Sequence, residues 1–236
     1  MHLNSLTIRQ ENFPVKECYP FNLPPFITTR TLVFDTPVTF FIGENGTGKS
    51  TLLRAISRKA SIYIWEETQR MRFKFNRHAE DFFTCIDADF GEKEVAGSFF
   101  ASELFRHFAE MLDEWAISDP GLLNYFGGAS LLTKSHGQCN MTFFENRFGI
   151  KGLYLLDEPE SALSPKSQLE LLKIITRASK TGIAQFIVAT HSPILLALDN
   201  ARIYSFNESP VKPVRYEETE YYTMYRDFMN DKEKFL

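Results

Sequence analysis

Residues 40 to 51 read "FFIGENGTGKST", an apolar run that stops at a glycine and ends in Lys-Ser-Thr. Val38 to Ile42 form a continuous apolar, β-rich run, which is typical of a strand buried on both faces. The residues from Ser50 to Lys59 predict a helix. The stretch therefore predicts a strand, a glycine loop and a helix in direct succession.

The loop matches the P-loop pattern G-x-x-x-x-G-K-[ST], with Gly43, Gly48, Lys49 and Ser50 at the fixed positions. Glycines let the backbone curl so that successive N–H groups point at phosphate oxygens, and the following helix adds its positive N-terminus. Lys49 is expected to reach the β- and γ-phosphates of ATP, and Ser50 to ligate Mg²⁺. The predicted ATP-binding residues are Gly43, Asn45, Gly46, Thr47, Gly48, Lys49, Ser50 and Thr51.

A second apolar run, "LYLLDE" at residues 153 to 158, ends in two carboxylates. Such a strand delivers Asp157 to the carboxyl end of the sheet, where it can hold Mg²⁺ together with Ser50. Glu158, the next residue, is placed to polarise the attacking water. Behind a P-loop, this pair predicts a metal site at Ser50 and Asp157 and a catalytic carboxylate at Glu158.

A third apolar strand, "QFIVAT", is followed by His191. A neutral imidazole at this place can hydrogen-bond the γ-phosphate and orient the water, which is a sensing role and not nucleophilic catalysis. Lys49, Glu158 and His191 are thus the predicted catalytic residues of an ATP-hydrolysing site.

The remaining pattern predicts an α/β fold. Strands are expected at Leu3 to Arg9, Thr31 to Phe34, Gln185 to Ala189 and Arg202 to Phe206. Ser164-Pro165 predicts the start of a helix that runs to about Ser179, with Gly182 as its stop. Strand and helix alternate, which favours a parallel sheet.

Composition excludes several classes of protein. The 236 residues fit one domain, and the net charge of −4 gives no overall attraction to nucleic acid or anionic membrane. Three isolated cysteines favour neither a zinc site nor a disulfide framework and fit a reducing cytoplasm. No stretch approaches the roughly 18 apolar residues of a membrane span, so membrane insertion is not expected.

The segment "KSHGQCN", residues 134 to 140, identifies a family resemblance. Ser135-His136-Gly137-Gln138 resembles a degenerate Ser-Gly-Gly-Gln core of the ABC signature, and "SALSP", residues 161 to 165, lies where ABC ATPases have their D-loop. The order of these motifs with "GLYLLDEPE" and "ATHSP" is that of ABC-class ATPases. More narrowly, the chain resembles small stand-alone bacterial AAA family ATPases related to the SMC, RecF and OLD group.

The resemblance implies a P-loop head over residues 1 to 236, with a mostly parallel core sheet, an antiparallel β part and a helical signature subdomain at about residues 98 to 150. It also implies an ATP-dependent homodimer in which Ser135, Gly137 and Gln138 of one subunit contact the nucleotide of the other. Hydrolysis would then gate a partner, such as a separate effector or nuclease in DNA maintenance or phage defence. The alternative is the nucleotide-binding subunit of a membrane transporter.

Several assignments stay open between two interpretations. Glu103 and Gln69 compete for the Q-loop position. Tyr19 and Phe21 are candidates for stacking on adenine or for the core.

Two further segments allow a functional or a structural interpretation. A basic, half-exposed strand over residues 70 to 78 carries Arg70, Arg72, Lys74 and Arg77, either for nucleic-acid phosphates or as a solvated face. The helix expected over Ala101 to Trp115 is either a docking arm or a core element.

Overall fold

The computed structural model describes residues 1–65, 78, 80–92 and 95–236, and they form two sheets with helices around them. Six strands make the larger sheet, in the order β5-β6-β7-β3-β8-β9, and three make the smaller one, in the order β2-β1-β4. The strands are β1 (Leu3–Ile8), β2 (Thr31–Val33), β3 (Val38–Ile42), β4 (Ile86–Phe90), β5 (Gly97–Ala101), β6 (Gly152–Asp157), β7 (Ala184–Ala189), β8 (Arg202–Ser205) and β9 (Lys212–Val214).

All neighbouring strands of the larger sheet are parallel except the edge pair β8 and β9, which is antiparallel. Strands β3, β6 and β7 are buried over their whole length because both faces of the sheet are covered. Successive side chains alternate between the faces, so that Phe41 and Leu155 pack on one side while Phe40 and Tyr154 pack on the other. The predicted α/β class with a mostly parallel core sheet is confirmed.

The helix that follows the glycine loop, α2 (Lys49–Lys59), lies between the two sheets. Leu52, Leu53 and Ile56 share one hydrophobic cluster with β1 of the antiparallel sheet and with β3, β6 and β7 of the parallel sheet. Complete burial of each such aliphatic side chain contributes on the order of 2 kcal/mol. The P-loop helix is therefore held from both sides, which fixes the position of the loop before it.

The opposite face of the parallel sheet carries a helical segment with many aromatic residues. It contains α3 (Phe105–Ser118), the 3₁₀ turns Pro120–Phe126 and Leu131–Thr133, and α4 (His136–Arg147). Phe100, Phe105, Phe108, Phe143 and Phe144 make edge-to-face or tilted ring contacts with one another there. Helix α3 buries its apolar stripe in this cluster, which favours the core interpretation over a docking arm.

The helix expected from Ala101 begins four residues later, at Phe105, so that part of the prediction was wrong. Residues Gly97–Ala101 instead form β5, an edge strand paired in parallel with β6. The segment "GSFFASELF" is a short apolar run, and periodicity alone does not separate a buried strand from the start of a helix in such a run. Pairing with β6 decides the conformation.

The C-terminal third contains α5 (Pro165–Lys180), the short α6 (Pro193–Leu196), β8, β9 and α7 (Glu220–Asn230). The N-terminal loop holds the short helix α1 (Pro24–Thr28). No helix in the described part of the chain is long and apolar enough to cross a membrane. Apart from His78, the strand expected over residues 70 to 78 lies outside the described residues.

Candidate nucleotide site

The loop between β3 and α2 has the backbone that its glycines predict. Gly43, Gly46 and Gly48 have φ values of 145°, 82° and 103°, in the left-handed region that favours glycine. A Cβ on Gly48 would also lie 2.7 Å from Cζ of Phe26, a residue of α1. The loop is thus restricted to glycine at position 48 both by its own conformation and by the helix packed against it.

Lys49 is buried at the N-terminus of α2, with 5% of its surface exposed. Its Nζ donates to the carbonyl oxygens of Gly43, at 2.6 Å, and Glu44, at 2.9 Å. Burial lowers the pKa of this lysine, and the nearby carboxylates of Glu158 and Asp157 oppose that shift. The ammonium group is therefore held inside the loop by backbone oxygens, at the place from which a P-loop lysine reaches phosphate.

Ser50 and Asp157 meet across the space between α2 and β6. Ser50 Oγ donates to Asp157 Oδ1 at 2.9 Å, although 107 positions separate the two residues. Burial raises the pKa of Asp157 to about 6, against the opposing hydrogen bond from Ser50. The structure brings together the two residues that the sequence assigned to Mg²⁺.

The donor set of this pair fits Mg²⁺. Among the described residues there is no cluster of three or more His, Cys, Asp or Glu side chains able to hold a metal on its own. A hydroxyl and one carboxylate suit Mg²⁺ in a phosphate site, where nucleotide oxygens and water complete the six ligands. Burial disfavours the ionised form of Asp157, and a cation held beside it would stabilise that form.

Glu158 stands at the edge of a cleft of about 330 Å³. Its backbone has a φ of 47°, which is uncommon for a residue with a side chain, and the chain changes direction here, directly after β6 ends at Asp157. Glu158 Oε2 accepts from Ser161 Oγ at 3.2 Å, and Oε1 lies 3.6 Å from His191 Nε2. The cleft is lined by Ser50, Ala101, Ser102, Glu103, His136, Asp157, Glu158, Ser161 and Ala162.

His191 is fixed by two contacts that the sequence did not predict. Its backbone N–H donates to Oε1 of Glu160 at 2.7 Å, and its ring Nδ1 lies 2.7 Å from the hydroxyl of Tyr221 in α7. That hydroxyl in turn donates to the carbonyl oxygen of Gly43 at 3.0 Å. Burial lowers the pKa of His191, and Lys49 lowers it further.

The signature segment forms the start of α4. Ser135 is the N-cap, its Oγ accepts from the Gln138 N–H, and Oε1 of Gln138 accepts from the Ser135 N–H at 3.1 Å. This is a capping box, which satisfies two N–H groups of the helix end. A Cβ on Gly137 would lie 2.6 Å from the carbonyl oxygen of Ala162, and His136 lines the cleft beside Glu158. The signature and D-loop segments therefore pack on each other.

The two aromatic candidates for adenine are in different environments. Phe21 is fully buried against Phe13 and Phe82, which makes it a core residue. Tyr19 is 46% exposed, and its hydroxyl hydrogen-bonds Thr51 Oγ1. A second cleft of about 290 Å³, beside the start of α2, is lined by Tyr19, Ser50, Thr51, Arg54, Ala55, Arg58, Glu80, Phe82 and Phe83. The position therefore favours Tyr19.

Of the two Q-loop candidates, Glu103 lines the cleft that contains Asp157 and pairs with Arg54 at 2.9 Å. Gln69 lies outside the described residues, as do Arg70, Arg72, Lys74 and Arg77 of the expected basic face.

Sequence reasoning missed three residues that shape the site: Glu160, Tyr221 and Asn207, whose Oδ1 accepts from the Glu44 N–H at 2.7 Å. All three lie far from the P-loop in sequence. Glu160 ends the quoted segment "GLYLLDEPE", which could have pointed to it, whereas no motif contains Tyr221 or Asn207.

Two family models match separate segments of the chain, and together these segments contain the predicted site residues. Residues 22–85 match a model described as "AAA domain". Residues 129–197 match a model described as "AAA domain, putative AbiEii toxin, Type IV TA system". The first match contains the P-loop, and the second contains the signature, the Asp157-Glu158 pair and His191. The matches confirm the resemblance to ABC-like ATPases of the AAA type that the motifs indicated, since both models describe an AAA domain.

One curated relative is the hemin import ATP-binding protein HmuV of Rhodopseudomonas palustris (strain BisB5), which is 29% identical over 165 residues. The match covers 60% of this chain and 60% of that protein. The chain thus spans less than two thirds of the relative's length.

Two solved structures are similar over most of the chain. The SMC head domain from Thermotoga maritima is 17% identical, with a TM-score of 0.49, 91% of this chain covered and 100% of that one. "An inward-facing conformation of a putative metal-chelate type ABC transporter" is 16% identical, with a TM-score of 0.49, 82% of this chain covered and 79% of the other.

Proposed function

We propose that this protein binds ATP with Mg²⁺ and hydrolyses it to ADP and phosphate, in a homodimer that closes around the nucleotide. The observation that carries the proposal is the 2.9 Å contact of Ser50 with Asp157 behind a glycine loop, followed directly by Glu158. A P-loop with an acidic strand end beside its hydroxyl is the arrangement with which P-loop enzymes bind Mg²⁺ and nucleotide for phosphoryl transfer.

Binding follows from the loop and its helix. The N–H groups of residues 43 to 51 and the N-terminus of α2 hold the phosphates, and Lys49 leaves its backbone oxygens to contact the β- and γ-phosphates. Ser50 and Asp157 hold Mg²⁺, which supplies charge neutralisation at the phosphate oxygens when bound. Asn45 and Thr47 complete the wall of the loop, and Thr51 faces the side where Tyr19 lies.

Hydrolysis needs an oriented water. Glu158 accepts a proton from that water while the water oxygen attacks the γ-phosphorus. The bond between the γ-phosphorus and the ADP oxygen breaks. His191, whose Nε2 lies 3.6 Å from Glu158 Oε1, is the second group beside the place proposed for the attacking water. Positioning and charge neutralisation are sufficient for this reaction, so no covalent enzyme intermediate is required.

Dimerisation completes the site in this proposal. The start of α4 presents its helix N-terminus, with Ser135, Gly137 and Gln138, to the γ-phosphate bound by the other subunit. Support comes from the capping box, because it orders this helix end and uses the N–H groups of Ser135 and Gln138, so that those of His136 and Gly137 are not taken by the cap. ATP binding would then be the signal that brings two heads together.

The dimer gates a partner, which we propose to be a separate effector or nuclease in DNA maintenance or phage defence, in the cytoplasm. The wording of the family model over residues 129–197, with its toxin and type IV toxin–antitoxin system, supports a defence role. A role as the ATP-binding subunit of a transporter is the second candidate, favoured by the hemin-import relative. Co-purification with an integral membrane permease would favour the transporter, and recovery with a soluble effector the gating role.

The decisive experiment uses Glu158→Gln, with the exposed Glu170→Gln on α5 as the matched control. Light scattering is measured with and without Mg-ATP, together with phosphate release. We expect Glu158→Gln to bind ATP, to lose turnover by at least about 100-fold, and to double its mass only with ATP. Glu170→Gln should keep the wild-type turnover. Full turnover by Glu158→Gln contradicts the catalytic assignment, and an unchanged mass contradicts dimerisation.

A further inference from the structure

Tyr221 connects two parts of the nucleotide site that lie far apart in sequence. It projects from α7, and its hydroxyl lies between His191 Nδ1, at 2.7 Å, and the Gly43 carbonyl oxygen, at 3.0 Å. The Gly43 oxygen also accepts from Lys49 Nζ at 2.6 Å. The tyrosine ring packs edge-to-face on the imidazole, with centroids 5.4 Å apart and planes at 86°. One hydroxyl therefore links the histidine to the first residue of the P-loop.

With a neutral imidazole, both contacts of the Tyr221 hydroxyl are hydrogen bonds in only one arrangement. A tyrosine hydroxyl has one proton, and a carbonyl oxygen can only accept, so Tyr221 donates to Gly43. Its oxygen must then accept from His191, which places the imidazole proton on Nδ1. Burial raises the pKa of Tyr221, which keeps the hydroxyl protonated at neutral pH.

The other ring nitrogen is consequently a bare acceptor. His191 Nε2 is buried and has no hydrogen-bond partner among the described residues, and it lies 3.6 Å from Glu158 Oε1. An unprotonated Nε2 cannot donate to a phosphate oxygen, whereas it can accept from water. Of the two roles expected of His191 from the sequence, this tautomer fits the orientation of the water and not the contact with the γ-phosphate. Two acceptors, Nε2 and the Glu158 carboxylate, then stand side by side at the place of the attacking water.

We propose that Tyr221 is a positioning residue that holds His191 in the Nδ1–H tautomer, so that Nε2 accepts a hydrogen bond from the attacking water. The part concerning the water rests on the proposed ATP hydrolysis, and the tautomer does not.

The tautomer is tested on the whole nucleotide-free chain by ¹H–¹⁵N NMR of the imidazole nitrogens, with His191→Gln used to assign the signals. In the wild type, Nδ1 should carry the proton in at least about nine of ten neutral rings, as expected when one tautomer has a buried partner. Tyr221→Phe keeps the ring contact and removes the hydroxyl, and it should shift the proton towards Nε2. A wild-type ring protonated on Nε2, or identical spectra for both proteins, would overturn the proposal.

The consequence for the water is tested by kinetics, with Tyr225→Phe as control because Tyr225 lies on the same helix and is 57% exposed. Tyr221→Phe should lower kcat about tenfold and leave the Kd of Mg-ATP within about twofold, whereas Tyr225→Phe should leave both unchanged. A weaker Kd with unchanged kcat would overturn the proposal, since it assigns the hydroxyl to nucleotide binding. If the wild type shows no turnover, the proposed hydrolysis fails, and the spectra still decide the tautomer.

Discussion

The backbone of Gly137 in α4 is in direct contact with the carbonyl of Ala162, so close that a Cβ on the glycine would lie 2.6 Å from that oxygen. The first residue belongs to the signature segment and the second to the D-loop segment. The signature segment, which the family resemblance assigns to the contact between subunits, is therefore joined to the D-loop segment within one chain. A movement of one segment must displace the other.

This contact predicts that Gly137→Ala destabilises the chain even without nucleotide. The added methyl group cannot fit against a backbone oxygen at that distance, and overpacking of this kind costs about 1–3 kcal/mol. The measurement is the free energy of unfolding in urea. Gly149→Ala is the control, since a Cβ there meets no atom within 4 Å and should change stability by less than about 0.5 kcal/mol. Equal stabilities of the two variants would contradict the packing role of Gly137.

A second prediction concerns Asp157 and pH in the absence of metal and nucleotide. The folded chain holds the Asp157 proton more tightly than the unfolded chain, with a pKa of about 6 against a usual value of 3.8. Its contribution to stability is therefore fully present below about pH 4 and is lost as pH rises to about 6. The loss amounts to at most about 3 kcal/mol, at 1.36 kcal/mol per pKa unit.

Asp157→Asn removes this dependence and should be more stable than the wild type at pH 7 in EDTA. The difference in unfolding free energy should shrink towards pH 4, while Mg-dependent turnover is lost at every pH. Asp199→Asn on the surface serves as control and should follow the wild-type curve within about 0.5 kcal/mol. A difference that does not change with pH would contradict the raised pKa of Asp157.

The third prediction separates Tyr19 from Phe21. Tyr19→Ala should weaken ATP binding about fivefold through loss of a stacking surface and leave stability nearly unchanged, because the ring is half-exposed. Phe21→Ala should destabilise the chain by about 3–5 kcal/mol, because its ring is fully buried. Calorimetric titration with ATP and urea unfolding distinguish the two effects. Unchanged ATP affinity in Tyr19→Ala would exclude it from the adenine site.

The fourth prediction concerns Gln185, which joins the two sheets. Its buried side chain accepts from the N–H groups of His2 and Leu3, both at 2.8 Å, and donates to the Leu3 carbonyl oxygen at 2.8 Å. Gln185→Leu removes these three hydrogen bonds to buried backbone groups, at about 1–3 kcal/mol for each group left unpaired. We expect a loss of more than about 3 kcal/mol and faster hydrogen exchange at the His2 and Leu3 amides.

Asn4→Ala is the matched control for Gln185→Leu. Asn4 lies on β1, next to Leu3, and its side chain makes an exposed hydrogen bond of 3.3 Å to Asp89. Its loss should change stability by less than about 0.5 kcal/mol. A Gln185→Leu variant as stable as Asn4→Ala would show that β1 does not depend on this side chain.

The sequence predicted those parts of the fold and site whose chemistry is local. A left-handed glycine, a buried strand and a carboxylate at the strand's end are each specified within about ten residues, which is why the P-loop and the Asp157-Glu158 turn were found where the structure has them. Edge strand β5 was missed because its short apolar run has no distinctive period, and its conformation depends on pairing with β6.

The tertiary structure alone decided which side chains complete the site. Tyr221 and Gly43 are 178 positions apart, and Gln185 is 183 positions from His2. Neither contact leaves a pattern in the sequence, because a single polar side chain has no period and its partner is chosen by how the sheets and α7 pack. The sequence by itself determined the glycine loop and the place of the Asp157-Glu158 pair at the end of a buried strand. The tautomer of His191 and the attachment of the N-terminal strand follow from packing, since buried polar atoms must find their partners among whatever residues the fold brings near.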